Sequence, residues 1–125
     1  MTGYFNPKNK LGILIGISDY SEINANQDKG RFENLPNVTS NLTTMKTGLE
    51  EFGFTSEQIT AKTEANYSQI DKIFRDAKEK VEANYNKREE TLAYVYFGGH
   101  GVTDKGMTHA VCGKYDSTKR NQWTY

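Results

Sequence analysis

The sequence has 125 residues and a mass of 14.2 kDa, enough for one domain or part of one. Its 16 basic and 16 acidic side chains cancel to a formal charge of zero, which excludes a global field that would draw the chain onto nucleic acid or an anionic membrane. Hydrophobic residues make up 35% and the mean hydropathy is −0.80, so either the core is small or part of the surface belongs to something else; no apolar run approaches the roughly 18 residues of a membrane span.

Residues 1–9 form a polar tail without the charged and apolar regions of a signal peptide, so the cytoplasm, a reducing compartment, is the default location. Leu11–Ile17 is short, apolar and β-branched, the pattern of a strand buried on both faces in a parallel sheet. A polar stretch from Ser18 to about Pro36 follows, long for a connection inside a compact domain. Val38, Leu42, Met45, Leu49 and Phe52 recur at helical spacing and predict a helix over 37–52, with Gly53 where a left-handed cap would sit. Ile59–Thr63 reads as a second strand. A second helix is predicted over 68–85, with the stripe Ile70, Ile73, Phe74, Ala77 and Val81. Ser68 and Asp71 supply a capping box, and Asp71–Arg75 and Asp76–Lys80 form i,i+4 ion pairs on a solvated face.

Thr91–Phe97 is a third strand, ending in Gly98-Gly99-His100-Gly101. Thr108–Cys112 reads as a fourth, and the last dozen residues are polar and patternless. The order strand, helix, strand, helix, strand argues for parallel strands joined by helical crossovers.

Ligands and catalytic groups of open α/β sheets gather at the carboxyl ends of the strands. Ser18-Asp19-Tyr20 and Gly98-Gly99-His100-Gly101 occupy that position. Glycines flanking His100 let the backbone turn and leave the Gly101 N–H free to face an oxyanion. Histidine is the side chain for general base work near neutral pH. On the residues alone, a catalytic turn and a glycine-rich turn with an incidental surface histidine stand side by side. The glycines of Gly12-x-x-x-Gly16 lie within a strand and make neither a phosphate loop nor a dinucleotide fingerprint. One cysteine, Cys112, excludes an internal disulfide and a Cys-rich zinc site. His109 and Cys112 have only one other histidine to complete a metal site, so none is assigned. The aromatic residues are not interleaved with Lys and Arg, which argues against nucleic-acid binding.

Three segments resemble the caspase-like cysteine peptidases, closest to metacaspases and their bacterial relatives. Lys10–Tyr20 resembles the family's first strand with its Leu-Ile-Gly-Ile and nearby Tyr. Leu35–Met45, continuing into Leu49–Phe54, resembles the opening and end of its first helix. Tyr94-Val95-Tyr96-Phe97-Gly98-Gly99-His100-Gly101 resembles its Tyr-Phe-Ser-Gly-His-Gly strand end. The resemblance implies an α/β three-layer sandwich, a mostly parallel sheet with helices on both faces, of which the N-terminal β-α-β-α-β half is present. It divides the chain into the tail 1–9, a large-subunit-like part over 10–113, and a polar segment 114–125 that ends before the nucleophile.

It further implies a cysteine endopeptidase acting on a peptide or protein substrate. His100 serves as general base and acid, and the Gly101 N–H serves in the oxyanion hole. The family's nucleophile follows a later strand, so the cysteine is expected beyond Tyr125 or on another chain, in a small-subunit-like half. Cys112, only 12 residues after His100, is read as a small buried side chain rather than as the nucleophile. No cofactor is implied, although some metacaspases respond to calcium. Asn41 stands where metacaspase-like members carry an Asp that helps bind a basic residue before the scissile bond, which puts that specificity in doubt. Asn41 and Asp19 are the candidate substrate-binding residues. The alternative is an inactive relative serving as a scaffold or subunit. A receiver-like or flavodoxin-like domain is a third reading, for which Asp19 alone is thin support.

Overall fold

The computed structural model describes residues 7–25, 32–120 and 122–125. Positions 1–6 of the polar tail and 26–31 of the first polar stretch lie outside the described residues. In chain order the elements are β1 (Asn9–Gly16), α1 (Ser21–Ala25), α2 (Val38–Phe52), β2 (Ile59–Thr63), α3 (Tyr67–Asn86), β3 (Thr91–Gly98), β4 (Gly101–Asp104), β5 (Met107–Asp116) and β6 (Gln122–Thr124). The first three strands form a parallel sheet in the order β2-β1-β3, and the last three a second, antiparallel sheet in the order β4-β5-β6.

Every residue from Leu11 to Ile17 is buried, which is why this segment carries no polar side chain. Alternate residues of β1 serve different helices. Leu11, Ile13 and Ile15, with Ile17 just beyond the strand, join a core with Ile70 and Ala77 of α3. Leu14 points the other way, into a core with Val38, Leu42 and Leu49 of α2. The sheet is therefore a middle layer between two helices. Two glycines share the α2 face of β1 with Leu14. A Cβ on Gly16 would lie 2.5 Å from Val38 Cγ1 and 2.7 Å from Leu42 Cδ1, and one on Gly12 would lie 3.1 Å from Leu49 Cδ1. The Gly-x-x-x-Gly spacing is thus a packing feature that seats α2 close against the sheet.

Helix α2 ends as its sequence predicts. Gly53 adopts φ +120°, and its N–H donates to the carbonyls of Leu49 and Glu50. Helix α3 begins one residue earlier than predicted, and its cap is Asn66, not Ser68. The Asn66 side chain accepts from the Gln69 N–H, and the Gln69 side chain accepts from the Asn66 N–H, both at 3.0 Å. Ser68 is drawn elsewhere, its N–H and hydroxyl both donating to Asp116. On the outer face Asp71 pairs with Arg75 at 2.9 Å, but Asp76 pairs backward with Lys72 at 2.7 Å rather than forward with Lys80.

The predicted fourth strand is part of a longer one. Thr108–Cys112 lies inside β5, which runs antiparallel to β4 and does not extend the parallel sheet. Lys105 and Gly106, at φ +50° and +79°, make the tight turn between them. The last dozen residues also carry more structure than their composition suggests. A 3₁₀ turn over Ser117–Lys119 precedes β6, and Trp123 and Tyr125 pack onto the core. Tyr125 stacks on Phe74 of α3 at 5.7 Å with a 10° interplanar angle. Asp116, at 2% exposure, fastens this segment. Its carboxylate accepts from the N–H and hydroxyl of Ser68 and of Thr118, which hold its pKa down at about 2. No helix among the described residues is long and apolar enough to cross a membrane.

Two outcomes follow from this packing. Gly16→Val should destabilise the fold by about 1–3 kcal/mol in urea denaturation, because the buried Val38 and Leu42 must move. Asp116 is ionised in the fold at a pH where its unfolded counterpart is protonated. Its contribution is therefore full above the ordinary value of 3.8 and is lost as pH falls through about 2. Asp116→Asn should lower the melting temperature at neutral pH and flatten its dependence on pH over that acid window.

Candidate active site

The carboxyl ends of β1, β2 and β3 converge, because parallel strands joined by helical crossovers all end on one side of the sheet. The ladder continues past the strands, with the Ile17 N–H donating to the Gly98 carbonyl and the Glu64 N–H to the Gly16 carbonyl, each at 2.9 Å. Glu64, directly after β2, sits at φ +55°, an uncommon conformation for a residue other than glycine. Its carboxylate is what that conformation delivers. It accepts from the Ser18 N–H at 2.9 Å, the Ser18 hydroxyl, and the Asp19 N–H at 3.1 Å. The chain leaving β1 is thereby clamped to the end of β2.

His100 follows β3. Its backbone is held at both ends. The His100 N–H donates to Tyr20 Oη at 2.7 Å, and its carbonyl accepts from the Val111 N–H at 2.9 Å. Its ring is half-buried beside Tyr20, edge-on with centroids 4.7 Å apart, and beside Phe32 at 5.4 Å. Imidazole Nε2 lies 2.8 Å from the Glu33 carbonyl oxygen. A carbonyl only accepts, so this contact calls for a proton on Nε2, and in the neutral ring the lone pair then lies on Nδ1. The 32–35 segment that supplies this carbonyl is itself fastened. The Asn24 side chain bonds both the N–H and the carbonyl of Phe32, and Asn34 Oδ1 accepts from the Tyr20 N–H at 2.8 Å.

Gly101 opens β4 opposite Ala110, and the N–H and carbonyl of Ala110 are both spent on Tyr125. The alternation of an antiparallel ladder therefore turns the Gly101 N–H away from β5, toward the outer side of β4. The imidazole and this N–H thus sit on consecutive residues.

The remaining sequence candidates are arranged differently. Cys112 is fully buried in the core of β5, and burial, with Asp116 adding to it, pushes its thiol up to about 12. Such a thiol stays protonated and inert near neutral pH. Asp19 is occupied locally: its carboxylate accepts from the N–H of Ser21 at 2.9 Å and from the Ser21 hydroxyl, bonds that lower its pKa. Asn41 lies exposed in the first turns of α2, and no hydrogen bond or ring contact described here joins it to His100. Among the described residues no group of three His, Cys, Asp or Glu side chains is placed to hold a metal ion.

Sequence reasoning missed Glu33, Asn34 and Glu64. Glu33 contributes a backbone carbonyl, for which no side-chain pattern exists. Asn34 and Glu64 act across 14 and 46 residues of sequence. The nearest available signal was Tyr20, placed with Ser18 and Asp19 at the carboxyl end of the first strand but given no role of its own.

No curated protein and no solved structure matches the chain. A family model described as a caspase domain matches residues 9–121, nearly the whole sequence and all of the elements that build this site. With its parallel sheet between two helices and its Gly-His-Gly turn at the sheet's carboxyl end, the chain belongs to the caspase-domain peptidase family.

Proposed function

We propose that this chain is the base-bearing half of a caspase-like cysteine endopeptidase, with His100 as its general base and acid. The observation that carries the reading is the 2.8 Å contact between His100 Nε2 and the Glu33 carbonyl. It fixes the ring in one tautomer and presents Nδ1 as the basic atom, as a third group orients the base in nucleophilic catalysis. The Gly101 N–H, turned away from β5, is the matching donor for an oxyanion.

The nucleophile comes from a cysteine beyond Tyr125 or on another chain. The edge of β3 supports this. Its Leu-Ala-Tyr-Val-Tyr-Phe sequence suits a central strand, yet β3 pairs only with β1 among the described strands. Tyr94 and Val95, facing opposite sides of the sheet, are 38% and 53% exposed. An apolar cavity of about 450 Å³ lies between α2 and β3, lined by Met45, Leu49, Phe52, Phe54, Leu92 and Tyr94 among others. Such a face suits a further strand with covering elements.

In the reaction so assembled, the cysteine thiol passes its proton to His100 Nδ1 and the thiolate attacks the scissile carbonyl. The resulting oxyanion accepts from the Gly101 N–H and the cysteine's own N–H. Protonated Nδ1 then gives its proton to the leaving amine as the C–N bond breaks. Water, deprotonated at the same nitrogen, attacks the thioester carbonyl, the C–S bond breaks, and the leaving thiolate takes the proton back from Nδ1. No step calls for a cofactor.

Activity assays on fluorogenic peptides with Arg, Lys or Asp before the scissile bond test this. The isolated 125 residues should be inactive. The whole protein, or the chain joined by its complementary half, should be active. His100→Ala there should reduce kcat/KM by about a hundredfold to ten-thousandfold, and Cys112→Ala should leave it unchanged. Hydrolysis by the isolated chain that Cys112→Ala abolishes would overturn the reading. A whole protein inert on all three peptides would favour the alternative, a non-catalytic relative that uses the β3 edge for assembly.

A further inference from the structure

The mechanism above uses the two ring nitrogens of His100, the Glu33 carbonyl and the Gly101 N–H, and leaves Tyr20 without a part. Tyr20 is fully buried among apolar neighbours, where a tyrosine hydroxyl costs free energy unless it is hydrogen-bonded. Its Oη accepts from the His100 N–H at 2.7 Å. That approach exists because residue 99 is glycine: a Cβ there would lie 2.6 Å from Tyr20 Oη and 2.9 Å from Phe97 Cζ. From its other end, Tyr20 donates its own N–H to Asn34 Oδ1, next to the residue whose carbonyl faces His100 Nε2. One side chain and one amide of the same residue therefore fix the two anchors of the imidazole.

We propose that Tyr20 is the positioning residue of the His100 base, setting its backbone through the buried hydroxyl and its ring through the Asn34–Glu33 segment. The inference rests on the reading of His100 as base, but it concerns geometry that exists before any substrate or thiol arrives. Burial raises the phenol to about 12, so the hydroxyl remains a neutral hydrogen-bonding group throughout the range in which a histidine base works. Tyr20 touches no reacting atom. Its effect is to hold Nε2 on the Glu33 carbonyl and so keep Nδ1 bare and aimed.

The test is nuclear magnetic resonance on the ¹⁵N-labelled 125-residue chain. Tyr20→Phe keeps the ring and removes one oxygen. Tyr125→Phe, which removes a hydroxyl bonded to Asp71 instead, is the control for general loosening. In Tyr20→Phe the His100 amide should exchange with solvent roughly tenfold faster or more, since its N–H loses its acceptor. At a pH where the ring is neutral, its nitrogens should give two distinct shifts in the parent and move toward averaged shifts in the variant. Tyr125→Phe should change neither. Asn34→Ala, which leaves the hydroxyl contact intact, should average the ring nitrogens while sparing the His100 amide. Unchanged His100 amide exchange and unchanged ring shifts in Tyr20→Phe would overturn the proposal, as would equal changes in Tyr125→Phe. Because no readout is turnover, failure here is separable from failure of the peptidase reading, which rests on the fluorogenic assays of the whole protein.

Discussion

Burial of β1 on both faces is the constraint from which the rest follows. A strand covered by α2 on one side and α3 on the other can gain parallel neighbours only through connections that cross those faces, and both helices serve as those crossovers. The three strands consequently end together, and the segments leaving them meet at one crest. Ser18–Tyr20 from β1, Glu64 from β2 and His100 from β3 are neighbours for that reason, although they span more than eighty residues of sequence. The glycines at 12 and 16 belong to the same constraint. They let α2 close on the sheet, and without that contact the first connection would have no fixed floor.

The elements made by local rules were the ones legible beforehand. Leu11–Ile17 showed its two-sided burial in an unbroken apolar run, Gly53 showed the end of α2, and Ile59–Thr63 showed β2 to the residue. The third strand showed that the Gly-His-Gly turn lies at the sheet's carboxyl end, while its role stood open on the residues alone. What was illegible depends on distant partners. Ser68 looks like a cap until Asp116, 48 residues away, takes its hydroxyl, and the cap then falls to Asn66. The end of the chain looked patternless because β6 is three residues long and is held by isolated aromatic side chains, which have no period to detect. Cys112 was assigned a structural place from its position on a strand, and its full burial and raised thiol pKa have the same physical origin.

The candidate site is built largely from backbone. At its centre is one histidine, His100, and around it lie the Glu33 carbonyl on Nε2, the Gly101 N–H one residue on, and the His100 amide itself. Backbone groups are placed by the fold, so the geometry depends on the crest being rigid. The side chains of Glu64, Tyr20, Asn24 and Asn34 supply that rigidity by hydrogen-bonding backbone N–H and carbonyl groups of the segments at the crest. Cys112, the one thiol of the sequence, is buried in the core, and the edge of β3 exposes Tyr94 and Val95.

The central claim is that His100 serves a thiol outside these 125 residues. The most direct measurement is to treat the whole native protein with a peptidyl acyloxymethyl ketone, digest it, and locate the alkylated residue by mass spectrometry. The account predicts one modified cysteine beyond Tyr125 or on an associated chain, with labelling lost in His100→Ala. Labelling of Cys112, or no labelled thiol in a folded whole protein, would contradict it.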